Sequence, residues 1–206
     1  DLALTRAMEL KEAGGVEKIT VANVGEKITE ATLRKALAVG ADDAIRIDAP
    51  AKDAFFVASE LSKIAVDYDL ILSGIEASDY NGNAVGGMLA ELLDYNSVSA
   101  VSGINIDGDK FIINREIDGG SQVLSVTGPL VAIVQKGIAK EPRIPAMRGI
   151  MMARKKPLTV VEAVDAHEKT SYVNFELPPP KAACKMVDEE NAKELITLLH
   201  EEAKVL

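Results

Sequence analysis

Tryptophan is missing from this chain, and aromatic residues make up only 4% of it, against 48% hydrophobic residues over 206 positions. That balance suits one main α/β domain with a sizeable core and a more polar arm. A single cysteine, Cys184, excludes an internal disulfide framework and offers no metal cluster. It points towards a reducing compartment. No run of 18 apolar residues occurs, so no segment is expected to span a membrane. Basic charge is in deficit, with 23 Lys and Arg against 32 Asp and Glu and a formal net charge of -9. A dominant duplex-binding surface is therefore not expected. The first residues also lack an initiator methionine, a leading strand and the apolar core of a signal peptide. They read at once as a helix with Asp1 in the N-cap position. A doubly wound domain normally opens with a strand, so one is expected ahead of Asp1.

What is present alternates. After Gly14-Gly15 come a strand at 18–24, a helix at 29–39 with Thr29 as cap and Gly40 as terminator, and a strand at 44–47. A helix at 54–65, a buried strand at 69–73 and a helix from about 83 to 93 complete this run. Short strands separated by such helices argue for a mostly parallel sheet. The pattern then changes to strands at 98–106, 110–116, 121–127 and 130–134, with hairpin turns around Asp107-Gly108-Asp109 and Asp118-Gly119-Gly120. Antiparallel additions to the parallel sheet are the simplest account. Residues 140–157 read as irregular and basic, and 164–183 as an extended arm, with Pro178-Pro179-Pro180 favouring polyproline geometry. Asp188 is the expected cap of a last helix running to His200, with Leu195, Ile196, Leu198 and Leu199 near its buried side. The expected fold is an open, mostly parallel α/β sheet flanked by helices, with antiparallel strand additions and a C-terminal arm. Its domain covers 1–157, and the arm and helix, expected to pack on the domain or on a partner subunit, cover 158–206.

Residues 69–87 carry the most functional information. They read as a buried strand ending at Gly74, a long polar loop, and a helix start bearing Gly86-Gly87. In an open α/β sheet a ligand sits at that place. Unpaired N–H groups at the helix N-terminus suit a phosphorylated ligand. No nucleophile and base stand together in the loop, so its message is binding and no catalytic residue is assigned. His167, His200 and Cys184 lack partners at ligand spacing, and no metal site is assigned.

Several blocks, in order and spacing, resemble the beta subunit of electron transfer flavoproteins. One is Thr20-Val21-Ala22-Asn23-Val24-Gly25 followed by the run from Glu30 to Asp42. Others are the loop from Gly74 to Gly87, Arg115-Glu116-Ile117-Asp118-Gly119-Gly120, and Glu141-Pro142-Arg143 leading to Ala153-Arg154-Lys155-Lys156-Pro157-Leu158. The resemblance covers nearly the whole chain and implies the adenine nucleotide alpha-hydrolase-like fold. It implies a heterodimer with one FAD held mainly by the alpha subunit, and AMP as a structural nucleotide in the beta chain. In the flavin-bifurcating branch a second FAD takes that place. Partners implied are the alpha subunit, primary flavin dehydrogenases as donors and a quinone oxidoreductase as acceptor, with no nucleic acid. The flavin supplies the redox chemistry and the protein supplies binding and tuning, so this chain has no turnover of its own. The compartment implied is the cytoplasm for a bacterial protein, which we prefer, or the mitochondrial matrix for a eukaryotic one.

Carried over residue by residue, the resemblance assigns the nucleotide to Ala22, Asn23, Val24, Gly25, Gly74, Asp79, Asn83, Ala84, Val85 and Gly86. Asp79 organises the loop, because a carboxylate would repel phosphate. Asn83 is otherwise a helix cap, and Val24 otherwise core. The loop wording fits neither the AMP-holding nor the bifurcating pattern cleanly, so AMP and a second FAD both stay open. Glu116, with Arg115 beside it, corresponds to the hairpin glutamate that faces the alpha subunit's flavin domain. Met147 corresponds to the apolar anchor of the partner-recognition loop, with Arg143 and Arg148 as its polar rim. Pro145 and Gly149 depart from the usual loop, and Met151 and Met152 read as core or subunit contact. Two other functions suit the residues less well. A stand-alone adenine-nucleotide-binding regulator leaves the arm without a purpose. An adenylylating enzyme lacks its pyrophosphatase loop, since Ser73-Gly74 continues as Ile75-Glu76.

Overall fold

The computed structural model describes residues 1–77, 81–164, 166–181 and 183–206. Parallel pairing builds a first sheet in the order β1-β2-β8, from β1 (Thr20–Val24), β2 (Asp43–Asp48) and β8 (Leu158–Glu162). A second sheet has the order β3-β7-β4-β5-β6. In it β3 (Leu70–Gly74), β7 (Leu130–Val134) and β4 (Asn96–Asp107) run parallel. The same β4 then continues into an antiparallel meander with β5 (Lys110–Ile117) and β6 (Gly120–Thr127). Helix α1 (Leu2–Glu12) precedes β1, and α2 (Glu30–Val39), α3 (Ala54–Ala65) and α4 (Val85–Leu93) connect the parallel strands. This is the mixed sheet with flanking helices that the sequence pattern predicts.

β7 is the core strand of the second sheet. All five of its residues are buried, and Leu130, Val131 and Ala132 are fully so. An unbroken apolar run suits a strand covered on both faces and paired on both edges. The strand β4 serves two partners by bending. Its register against β7 shifts between Val98 and Val101, and Ala100 there takes a left-handed φ of 56°. The bulge re-aims the strand from its parallel neighbour to its antiparallel one. The turn between β4 and β5 is closed by Gly108 at φ 60°, as the Asp-Gly hairpin signal requires.

A slot separates the two sheets. β1 and β3 do not pair with each other, yet Thr20, Ala22, Leu70 and Leu72 line the same two cavities, of about 300 and 320 Å³. Lys18 and Tyr68, just ahead of the two strands, meet at the same end of the slot, so the strands run the same way. The hydroxyl of Thr20 is buried without a partner in this slot.

Three local readings are corrected. Residues 140–157 are not wholly irregular, because α5 (Met147–Ala153) forms within them. Arg34 of α2 explains its stability, donating to the carbonyls of Ala153 and Lys156 at the end of α5, both at 2.8 Å. Asp1 and Thr29 occupy cap positions but their side chains accept no cap hydrogen bond, and the Thr29 hydroxyl donates to the carbonyl of Glu26 instead. Beyond residue 157, β8 lies in the segment that the sequence reading gives to the arm, and it pairs with β2.

The chain divides into two compact units, Asp1–Ser171 and Tyr172–Leu206. Among the described residues of the second, no helix or strand precedes Asp188, whose side chain accepts from the N–H of Glu190 and opens a short helical turn. α6 (Ala192–Thr197) follows and ends in one wide turn through Glu202. Within this unit Tyr172 stacks on Phe175, and Lys185 pairs with Glu202 at 2.7 Å. Val173, Phe175 and Leu177 are almost fully exposed. Among the described residues no helix is long and apolar enough to cross a membrane.

Candidate functional site

The carboxyl ends of β1 and β3 and the start of α4 frame the candidate site. Val24 is buried at the end of β1, and Gly25 follows with its carbonyl held by the Arg46 guanidinium at 2.8 Å. Arg46 is itself buried, and Glu30 at 3.1 Å and Asp48 at 2.5 Å compensate its charge. An arginine on β2 thus fixes where β1 stops. Beside it the side-chain amide oxygen of Asn23 is buried with no hydrogen-bond partner. A buried acceptor left open costs free energy unless a donor reaches it. Ala22 faces the slot.

Across the slot, Gly74 ends β3 in the open, and a side chain there would meet nothing of this chain within 4 Å. Asp79 lies outside the described residues. Asn83 is exposed and left-handed at φ 44°, one residue ahead of the helix cap, so it turns the loop into α4 without capping it. The cap position belongs to Ala84, whose methyl group accepts nothing. Amide groups in the first turn of α4 are therefore not taken by a side-chain cap, the condition under which a helix N-terminus receives an anion. Val85 lines the slot cavity together with Ala22, Leu72 and Ser73. Gly86 has a packing reason. A Cβ on it would stand 2.7 Å from Ile133 and 3.2 Å from the Ser73 hydroxyl, so glycine lets α4 lie against β3 and β7.

Sequence reasoning missed one wall. A cavity of about 860 Å³ opens at the carboxyl ends of β3 and β7, lined by Gly74, Ile75 and Glu76 on one side and by Gln135, Lys136 and Lys140 on another. The available signal was Gln135-Lys136-Gly137 directly after a fully apolar strand, where open parallel sheets place ligand contacts. The two lysines give this acidic chain a local positive edge.

The partner residues fall in two other places. Glu116 is exposed at the end of β5, in register with Ser121, beside the turn at Gly119. Arg115 is half-buried, and its Nε has no acceptor. Met147 opens α5 and is 74% exposed, with Ile144 at 90% and Met151 at 65% nearby. Met151 and Met152 are thus not core residues of this chain. Arg148 is exposed, whereas Arg143 is committed within the fold. Its guanidinium grips Glu12 through two bonds of 2.6 Å, and its backbone N–H donates to the Thr5 hydroxyl at 3.0 Å. The Arg143 hydrogen bond holds the Glu12 carboxyl below its ordinary pKa. Gly149 brings α5 against α2, since a Cβ would collide with the carbonyl of Ala38. Lys156 caps the end of α2, donating to Leu37 at 3.0 Å and to Ala41 at 2.6 Å. An exposed apolar helix thus stands on a rooted base.

Among the described residues no group of three or more His, Cys, Asp or Glu is arranged to hold a metal ion. A family model described as the electron transfer flavoprotein domain matches residues 2–166. The chain is 36% identical to the electron transfer flavoprotein subunit beta of Bacillus subtilis, with 100% of this chain and 86% of that protein covered. It is 35% identical to the protein of the same name from Syntrophomonas wolfei, over 92% of this chain and 76% of that one. Against the human electron transfer flavoprotein subunit beta the identity is 32%, over 100% and 84% of the two chains.

Proposed function

The chain belongs to the electron transfer flavoprotein family as a beta subunit, and from that premise we propose that it holds AMP at the carboxyl edge of its sheet and docks electron donors through α5. The observation that carries the nucleotide reading is the pairing of an uncapped helix start at Ala84 with the unpartnered buried acceptor of Asn23. Together they fit a ligand with an anionic end and a donor-bearing end, as an adenine nucleotide has. Amides of the first turn of α4 bind the phosphate, and the helix dipole favours its charge. Val24 walls the base, and Gly74 leaves room beside it. Asn83 turns the loop towards the phosphate, and Asp79 is assigned to organising that loop.

In the heterodimer with the alpha subunit, FAD supplies the redox chemistry, and this chain turns nothing over. Its own part is to hold the nucleotide, present the Glu116 hairpin to the flavin domain and present Met147 to the dehydrogenase. Methionine suits that task because its side chain repacks against partners of different shape. Arg148 forms the polar rim, while Arg143 roots the loop through Glu12. Residues 172–206, rich in exposed apolar side chains, are the arm that meets the alpha subunit. A quinone oxidoreductase takes the electrons onward, and the compartment we favour is the cytoplasm.

Mass spectrometry of small molecules released from the intact heterodimer tests the nucleotide reading. One AMP and one FAD per complex are expected, whereas two FAD and no AMP would replace AMP by a second flavin. Met147→Ala is expected to slow electron delivery from the dehydrogenase roughly tenfold, with FAD content unchanged. An unaltered rate in stopped-flow flavin reduction would remove the anchor role.

A further inference from the structure

Helix α3 carries a carboxylate where its apolar stripe should continue. Phe56, Glu60 and Ile64 recur at intervals of four, and Phe56 and Glu60 are each 1% exposed. A buried carboxylate needs hydrogen bonds to be tolerated. Glu60 takes them from the chain that leaves β8: one oxygen accepts the backbone N–H of Val164 and the other that of Ala166, both at 3.0 Å. Alanines 163 and 166 pack on the Phe56 cluster at the same place.

Two turns earlier on α3 the arrangement repeats. Asp53 divides its carboxylate, one oxygen capping the helix through the N–H of Phe56 at 2.8 Å. The other accepts the backbone N–H groups of Lys169 at 2.6 Å and Thr170 at 2.8 Å. Lys52 pairs with Glu168 at 3.3 Å, and the Lys169 ammonium lies 4.8 Å from the Phe55 ring centre. Among the described residues of the segment 164–170 no strand pairing occurs, so these side chains do what a ladder does elsewhere.

The geometry points to a carboxylate clasp in which Glu60 and Asp53 act as positioning residues, fixing the root of the arm so that residues 172–206 reach the alpha subunit from a set origin. A fixed root removes conformational freedom that docking would otherwise have to freeze. This inference rests on the reading of the arm as the alpha-subunit contact, and neither carboxylate touches the nucleotide site described above.

Two substitutions separate the clasp from ordinary stability. Asn caps a helix as well as Asp, so Asp53→Asn keeps the bond to Phe56 and turns an amide NH₂ towards the N–H groups of Lys169 and Thr170. Glu60→Gln leaves one of the Val164 and Ala166 amides without an acceptor. Hydrogen exchange on the full chain is expected to rise roughly tenfold at the affected amides, with protection in β2 and β7 unchanged. Affinity for the purified alpha subunit is expected to fall by a similar factor, mainly through slower association. Faster exchange with unchanged association overturns the positioning role, and unchanged exchange overturns the clasp itself. Removal of residues 172–206 is the separate control. If it leaves alpha-subunit affinity intact, the reading of the arm fails, and the inference built on it fails too.

Discussion

At the residue scale, close approach and charge pairing decide most of what can be tested. Gly86→Ala places a methyl group 2.7 Å from Ile133, so α4 must shift or strain. A loss of about 1–3 kcal/mol is expected in chemical denaturation, with AMP retention reduced because the same turn is proposed to hold the phosphate. Asp42 gives a pH dependence. Burial pushes its carboxyl up, but Lys11 at 2.6 and 2.7 Å and the N–H of Ile19 at 2.7 Å outweigh that and leave it below the ordinary 3.8. The Arg143 hydrogen bond likewise keeps Glu12 below its ordinary 4.5. Folding therefore favours the ionised forms, and that stability is complete well above these ordinary values. As the pH falls below them and through the lowered folded values, it is lost. Melting temperature should fall over that acidic window, and Asp42→Asn should flatten the decline. An identical pH profile in the variant would dismiss the role of this pair.

At the element scale, β4 and α5 show how context overrides local pattern. Ala100 holds β4 in a left-handed bend that an L-residue adopts at a cost. Ala100→Gly is expected to stabilise the fold by about 1 kcal/mol, measured by the denaturant midpoint. No gain would mean that glycine's freedom in the unfolded chain cancels the relief. Residues 140–157 gave no helix signal because α5 spans only seven residues and carries Gly149 within it. Its stability comes from outside, through Arg34 at its carboxyl end and the close seat on Ala38. Period and propensity do not register such support. The longer elements were legible. The spacing predicts a helix over 54–65, and the structure forms Ala54–Ala65 with Asp53 as cap. The hairpins at Gly108 and Gly119 stand where their turn residues put them.

At the scale of the molecule, the slot between β1 and β3 separates two sheets that run the same way. β3 reads Leu-Ile-Leu, the run of a strand buried on both faces, yet these residues are only half-buried. α1 begins beside Gly74 and Ile75 at the carboxyl end of β3 and leads back towards Lys18, ahead of β1. Leu72 is half-buried in the slot, so Leu72→Cys in the complete heterodimer should be alkylated more slowly than the exposed Cys184, which serves as the internal reference. Equal rates would mean that the slot is open to solvent.

The sequence by itself determined the alternation of strands and helices, both hairpins and the family, because these rest on short-range periodicity, turn chemistry and ordered blocks of residues. Only the tertiary structure decided that β7 returns between β3 and β4, that Arg143 serves Glu12, and that Glu60 belongs to the root of the arm. Each of those depends on groups far apart in the chain. A residue's type fixes what bonds it can make, and the fold selects which partner comes within reach.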